Sequence, residues 1–358
     1  MTNLDRLPIR DDLRGRTPYG APHNKVPIAL NVNENTHPIP EDVATDIIAA
    51  LAGAVLGVNR YPDREFTALR IALADYLGHG LTREHVWAAN GSNEVLQHIL
   101  LAFGGPGRSV LGFPPTYSMH SIIANGTGTR WVVGERDADY AISPEGAVRA
   151  IDTEKPDVVF FCTPNNPTGT PVALETIAAA YDATSGIVVV DEAYAEFMPD
   201  SAPSALTLLE GRERLIVSRT MSKAFAFAGA RVGYLAADPA MSDALRLVRL
   251  PYHLSALTQA AAVAALANTQ AMLAMVDDIR EQRDRLLTEL PKLGYPVSPS
   301  WANFVLFGGV DNPEALFEAL LEQGILIRNV GIPNTLRVTA GTEAETTAFL
   351  SALARISG

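Results

Sequence analysis

From about residue 41 to residue 250, short runs of β-branched and aromatic residues alternate with Ala- and Leu-rich segments whose apolar positions recur at helical spacing. That alternation predicts βα units wound around a largely parallel sheet. The expected strands are Val86-Trp-Ala-Ala, Ser109-Val-Leu-Gly-Phe, Arg130-Trp-Val-Val, Asp157-Val-Val-Phe-Phe, Ile187-Val-Val-Val, Leu215-Ile-Val-Ser and Val232-Gly-Tyr-Leu. Their near-continuous hydrophobicity is that of strands covered on both faces, so one buried seven-stranded sheet is expected. Helices are predicted between them over residues 94–103, 117–125, 144–151 and 173–184.

After Pro251 the pattern changes to one long helical stretch, 257–290, whose second half carries Asp277-Asp-Ile-Arg-Glu-Gln-Arg-Asp-Arg. That run reads as a solvated face laced by i, i+4 pairs. Beyond it, Asn303-Phe-Val-Leu-Phe, residues 315–322, Ile325-Leu-Ile-Arg, Leu336-Arg-Val-Thr and a final helix over 343–356 read as a small α+β domain. The first forty residues are rich in Pro, Asn and Arg, with little periodicity, and are expected to form an arm packed on another part of the fold. The expected architecture is α/β. An arm (1–40) precedes a large domain (41–255) with a central, mostly parallel seven-stranded sheet flanked by helices. A smaller α+β C-terminal domain (256–358), to which the arm contributes, completes it.

Composition narrows the function classes. The 358 residues carry 28 Lys+Arg against 40 Asp+Glu, a formal charge of −12, and the basic residues are scattered, as at Arg6, Arg10, Arg14 and Arg16. A nucleic-acid surface needs clustered cations and is not expected. With 47% hydrophobic and 19% charged residues the chain can build a large core. Cys162 is the only cysteine, which excludes an intramolecular disulfide and a Cys-based metal site, so a reducing cytoplasm is the expected compartment. The longest charge-free apolar stretch, 47–58, is interrupted by Gly53 and Gly57 and falls short of the ~20 residues of a membrane span. The N-terminal residues alternate charges where a signal peptide has an apolar core.

The ends of the central strands hold the unusual residues. No phosphate-binding P-loop, G-x-G-x-x-G or His-Glu-x-x-His occurs, and the seven histidines lack ligand spacing, so no metal is expected. Asn166 lies in Thr163-Pro-Asn-Asn-Pro-Thr-Gly169, a turn-forming cluster at a strand's carboxyl end, where open α/β sheets place ligands. Asp191 closes another strand, with Tyr194 three residues on; an acid there needs a cationic or donor partner, or serves as a cap or a satisfied structural carboxylate. Lys223, one of four lysines, sits among Ala and Phe in Ser222-Lys-Ala-Phe-Ala-Phe-Ala-Gly-Ala-Arg231. Desolvation and the nearby Arg231 would lower its pKa, as an amine that attacks a carbonyl requires. Gly91-Ser-Asn-Glu94 joins a strand to a helix, and reads either as an ordinary N-cap or as an anion site suited to phosphate.

In order along nearly the whole chain run Thr17-Pro-Tyr19, Leu30-Asn-Val-Asn-Glu-Asn35, Asn59-Arg-Tyr-Pro62, Gly91-Ser-Asn-Glu94, Pro114-Pro-Thr-Tyr117, Pro164-Asn-Asn-Pro-Thr-Gly169, Asp191-Glu-Ala-Tyr194, Ser222-Lys-Ala-Phe225 with Arg231, Asn303-Phe304 and Leu336-Arg337. Each is weak by itself. The ordered set resembles the fold-type I pyridoxal-phosphate enzymes, and among them the class II aminotransferases related to histidinol-phosphate aminotransferase.

The resemblance implies a pyridoxal 5'-phosphate cofactor held covalently by Lys223, which also moves the reacting proton. It implies that Asp191 pairs with the pyridine nitrogen, that Asn166 and Tyr194 bond the phenolic oxygen, and that Tyr117 stacks on the ring. Ser92, Asn93, Ser222 and Arg231 would bind the cofactor phosphate, with Tyr61 reaching it from the second subunit of a homodimer. Arg337 would clamp glutamate's carboxylate and, with Tyr19 and Arg328, receive a substrate phosphate; Asn33 and Asn303 complete the implied substrate set.

The implied reaction exchanges the amine of L-histidinol phosphate with 2-oxoglutarate, giving imidazole-acetol phosphate and L-glutamate in histidine biosynthesis. An aromatic amino-acid aminotransferase and a phosphothreonine decarboxylase share the cofactor apparatus; the Pro-Thr-Tyr117-Ser-Met stretch favours the first reading over the aromatic one. Thr36 and His37 intervene before Pro38, where the family commonly has proline directly, and Ala230 replaces a usual leucine. The first departure is expected to reshape the substrate entrance.

Overall fold

A computed structural model describes residues 6–22 and 24–357; residues 1–5 and 23 of the expected arm lie outside them. The chain enters through β1 (Ile28–Ala29), α1 (Glu41–Val55) and α2 (Thr67–Leu77). The βα alternation follows: β2 (Val86–Ala89), α3 (Ser92–Phe103), β3 (Ser109–Gly112), α4 (Ser118–Thr127), β4 (Arg130–Val133), α5 (Pro144–Glu154), β5 (Val158–Cys162), α6 (Leu174–Ala183), β6 (Ile187–Asp191), β7 (Leu215–Thr220) and β8 (Gly233–Ala237). Seven strands form one sheet in the order β2-β8-β7-β6-β5-β3-β4. All pairings are parallel except those of β8, which runs antiparallel to both its neighbours. β5 and β6 are buried at every position, as their apolar sequence up to Asp191 requires. Fully burying each valine or phenylalanine there contributes roughly 1.5–3 kcal/mol, which holds the strand ends in place.

The boundaries shift in ways that matter for chemistry. β6 includes Asp191, so the backbone that carries its carboxyl group is fixed by ladder hydrogen bonds and not by a loop. β7 runs on to Thr220, which brings Lys223 to within three residues of the sheet. Since β2, β3, β5, β6 and β7 all point the same way, their carboxyl ends share one edge.

The remainder comprises α7 (Pro239–Arg246), α8 (Ala256–Ala267), α9 (Thr269–Lys292), β9 (Phe304–Phe307), α10 (Pro313–Glu322), β10 (Ile325–Leu326), β11 (Leu336–Thr339) and α11 (Glu343–Ser357). β9 and β11 pair antiparallel, and β1 from the arm pairs parallel with β10. The single helix expected over 257–290 is instead two, bent by 75°. At the break, the Asn268 side chain donates back to the Ala264 carbonyl at 3.1 Å, competing with the helical ladder in the manner of asparagine. The charged run of α9 is the solvated face expected only in part: Asp277, Asp278, Glu281 and Asp284 are exposed and Arg280 pairs with Asp277, but two arginines turn inward. Arg283 is buried and donates to the Phe197 carbonyl at 2.9 Å, while Arg280 reaches the Glu196 carbonyl at 2.9 Å and Asp200. These arginines brace the segment that follows Tyr194. Among the described residues no single helix is long and apolar enough to cross a membrane.

Candidate active site

A cavity of about 550 Å³ opens at the carboxyl edge of the sheet, a volume within the usual range for a small-molecule site. Its walls come from the α3 start, the loop before α4, the ends of β5, β6 and β7, and segments of the arm and of the C-terminal part. Lys223 lines the cavity, with Nζ donating to the Val32 carbonyl at 3.0 Å. Burial pushes its pKa down to about 8, with Arg337 the largest cationic contribution and Arg231 a smaller one, while Glu34 opposes them. The sequence identified only Arg231; Arg337 arrives from a strand more than a hundred residues away and acts more strongly.

Asp191 is buried and half-satisfied. Oδ2 lies 3.0 Å from Nε2 of His120, whereas Oδ1 is enclosed without a protein partner. A structural carboxylate or a cap would have both oxygens engaged. His120 itself is held between Tyr117 and Phe160, with ring centroids 5.6 and 5.0 Å away. Beside Asp191, the Tyr194 hydroxyl accepts from Asn33 Nδ2 at 2.9 Å and from Asn166 Nδ2 at 3.2 Å. Two incoming donors leave the hydroxyl hydrogen free to donate to a third group, and burial raises the phenol's pKa so that it stays a donor. Asn33 takes the left-handed conformation (φ 57°) that asparagine tolerates, and is fixed by Thr339 and by Asn303, whose Nδ2 donates to its carbonyl at 3.1 Å.

At the other end, α3 starts with no side chain capping it, and its first two residues, Ser92 and Asn93, line the cavity with Ser222 and Arg231. The cradle tolerates no extra carbon. A Cβ on Gly91 (φ +88°) would lie 2.3 Å from Arg231 Nη2, and one on Gly233 would lie 2.1 Å from the Ser92 nitrogen. Backbone N–H groups, two hydroxyls and a guanidinium converging there form an anion site. Thr220 Oγ1 donates to Ser222 Oγ at 2.9 Å and orients it. Tyr117 caps the gap between the two ends, its hydroxyl donating to Asn93 Oδ1 at 3.2 Å.

Arg337 is buried on β11, with its guanidinium over Phe304 and donating to Asn166 Oδ1 and, at 2.8 Å, to the Asn31 carbonyl. Its Nε is enclosed without a partner, and burial lowers its pKa to about 10. Arg328 pairs backbone to backbone with Arg337 and lies 6.0 Å from the Tyr19 ring. Neither arginine makes an ion pair among the described residues, and Arg328 Nη1, like Arg337 Nε, is enclosed without a partner. Two guanidiniums with no carboxylate partner of their own, beside one cavity, can together receive an anion.

Most of the residues singled out from sequence therefore meet in one place: Tyr19, Asn33, Ser92, Asn93, Tyr117, Asn166, Asp191, Tyr194, Ser222, Lys223, Arg231, Arg328 and Arg337 all line the cavity. Asn303 does not; it sits behind Asn33 and positions it. Tyr61 is 79% exposed and stacks on Tyr252 at 4.5 Å, beside a separate hollow. Thr36 and His37 do not line the cavity either. The His37 N–H closes a turn onto Asn35 Oδ1, and Thr36 accepts from the Thr342 N–H, so the departure before Pro38 shapes a neighbouring hollow and not the entrance expected. Sequence reasoning missed His120 and Glu34. The Tyr117-x-x-His120 spacing, one helical turn, was the available signal for the first.

The class I and II aminotransferase family model matches residues 25–353. The chain is 60% identical to the histidinol-phosphate aminotransferase of Paenarthrobacter aurescens, over 99% of this chain and 96% of that protein. It is 56% identical to that of Thermobifida fusca, over 99% and 97%. Among solved structures, it is similar to the histidinol-phosphate aminotransferase of Sinorhizobium meliloti in complex with pyridoxal-5'-phosphate (TM-score 0.83, 27% identity, 93% of this chain and 91% of that one). It is also similar to the Thermus thermophilus aspartate aminotransferase with maleate (TM-score 0.78, 25% identity, 92% and 91%).

Proposed function

The chain belongs to the class I and II aminotransferases, and from that premise we propose how its residues divide the work of exchanging the amine of histidinol phosphate with 2-oxoglutarate in histidine biosynthesis. The observation that carries the reading is the pair Arg337 and Arg328, without carboxylate partners, beside the same cavity as Lys223. That arrangement suits two anions in turn, a phosphate and a carboxylate, with each substrate's reacting carbon presented to the amine.

The residues fit pyridoxal 5'-phosphate. The free Asp191 Oδ1 suits a protonated ring nitrogen, the available Tyr194 hydrogen suits a phenolic oxygen, and the α3 cradle suits a phosphate. When bound, the cofactor supplies an aldehyde that receives the substrate amine and a ring that withdraws electrons from the substrate carbon. Lys223 would hold the cofactor, and its amine would take the proton from the substrate Cα; its depressed pKa of about 8 keeps a usable share of neutral amine near neutrality. Asp191 holds a proton on the ring nitrogen, oriented by His120. Tyr117 would pack against the cofactor, and Asn166 and Tyr194 would hydrogen-bond its phenolic oxygen. Ser92, Asn93, Ser222 and Arg231 anchor the phosphate. Tyr19 and Arg328 join Arg337 at the substrate's anionic end, and Asn33, braced by Asn303, donates to the Tyr194 hydroxyl.

Two expected results test this division. Arg337→Ala should raise KM for both glutamate and histidinol phosphate, lowering kcat/KM by about 10- to 100-fold through loss of charge-assisted hydrogen bonds. An effect on only one substrate would contradict the shared pocket. In single-turnover reactions, bleaching of the holoenzyme's visible absorbance should be much faster with histidinol phosphate than with phenylalanine. Equal or reversed rates would favour the aromatic aminotransferase.

We also propose a homodimer. Tyr61 belongs to a hollow lined by 58–62, 251–253 and 255–257, and Leu56, Leu247 and Leu250, close to those segments in sequence, are like Tyr61 more than three-quarters exposed; exposed apolar side chains of this kind mark association. In that assembly Tyr61 reaches the partner's phosphate cradle. Mixing Lys223→Ala chains with Tyr61→Ala chains should then restore activity through heterodimers with one intact site. No gain over the separate variants would contradict sharing. The proposed division is an arm over 1–40, a large domain over 41–255 and a small one over 256–358, and pairing of β1 with β10 supports the arm's attachment to the last.

A further inference from the structure

One cation near the cavity serves none of these roles. Arg136, beyond β4, makes no ion pair among the described residues. Its guanidinium is spent on three neutral acceptors: Nε donates to the Phe113 carbonyl at 2.8 Å, Nη1 to the Tyr140 carbonyl at 2.8 Å and Nη2 to Asn165 Oδ1 at 3.0 Å. Burial holds its pKa down at about 10. A desolvated charge without an ion-pair partner is costly, and the three hydrogen bonds offset only part of that cost.

That geometry converges on Asn165, which is fully buried. Its Oδ1 also accepts from Thr116 Oγ1 at 3.1 Å, and its Nδ2 donates to the Pro115 carbonyl at 3.0 Å and to Thr168 Oγ1 at 2.8 Å. Its main chain is tied as well, to the Thr170 carbonyl and the Gly169 N–H. Phe113, Pro115 and Thr116 belong to the loop that delivers Tyr117; Asn165 immediately precedes Asn166. The two loops leave different strands, β3 and β5, and these side-chain bonds join them.

We propose that Arg136 and Asn165 form a positioning unit that clamps the Tyr117 loop to the Asn166 loop, and so fixes the face contact and the edge contact on the cofactor ring relative to each other. The inference rests on reading the cavity as the cofactor site. Loss of the clamp leaves each loop in place but lets Tyr117 and Asn166 move independently, and misplacement of about 1 Å is enough to matter at a reacting centre.

The test uses Arg136→Met and Arg136→Lys. Three readouts are taken: the dissociation constant of the apoenzyme for pyridoxal 5'-phosphate, the midpoint of the pH titration of the holoenzyme's visible absorbance, and the melting temperature. Arg136→Met is expected to weaken cofactor binding about 10- to 100-fold and to move the absorbance midpoint, with wild-type circular dichroism. Arg136→Lys, which keeps the charge and some of the donors, should recover part of both. A lower melting temperature with wild-type affinity and midpoint would overturn the proposal, because that is the signature of a merely structural arginine. Should Arg136→Met fail to fold, Arg136→Lys and Thr116→Val decide, and wild-type values in both would overturn it. Failure of the wild-type chain to bind pyridoxal 5'-phosphate would instead overturn the cofactor reading.

Discussion

Replacing Lys223 with alanine is expected to lower transamination by about 10⁴-fold or more, without loss of the fold. The side chain contributes little to packing: Nζ makes one hydrogen bond, to the Val32 carbonyl, and the surrounding strands are held by their own buried apolar faces. Its chemical contribution is singular. The described cavity lining offers one lysine, and its depressed pKa comes from burial with Arg337 and Arg231 nearby, a setting that leaves the amine neutral when the pH exceeds about 8 and partly so below it. Lys223→Arg would keep the charge but supply no neutral amine, and is expected to be equally inactive. Residual turnover within a hundredfold of wild type in a folded Lys223→Ala protein would remove the lysine from proton transfer.

The second large effect is expected at Asp191. Asp191→Asn keeps the shape and the contact with His120 but removes the negative charge that faces the ring nitrogen, and kcat should fall by about 10³-fold, the scale of a lost preorganised electrostatic contact. The melting temperature of the apoenzyme gives the contrast. Oδ1 is buried without a partner, so the carboxyl group is an electrostatic liability to the empty fold, and the asparagine variant should melt no lower than wild type. Activity lost together with several degrees of stability would point to a structural carboxylate instead. Activity within tenfold of wild type would remove the ring-nitrogen contact from the account.

Much of the fold was legible because fully buried parallel strands leave an unmistakable trace: Val158–Cys162 and Ile187–Asp191 are apolar at almost every position, and the polar residues at their ends stand out against that background. The site followed from those ends. What stayed hidden depends on partners distant in sequence. Arg280 and Arg283 sit in a run that periodicity assigns to solvent, yet both turn toward backbone carbonyls of 196–198, eighty or more residues earlier. The break between α8 and α9 turns on one asparagine whose side chain competes with the ladder, while the apolar spacing continues past it. Asn303 and Arg136 look alike from sequence, a polar residue beside a strand, and only the fold shows that each holds a loop.

Borohydride reduction of the holoenzyme followed by peptide mapping tests the central claim most directly. The account predicts a single pyridoxyl modification, on the peptide containing Lys223. A modification at Lys25, Lys155 or Lys292, or none at all in a preparation that binds the cofactor, would contradict it.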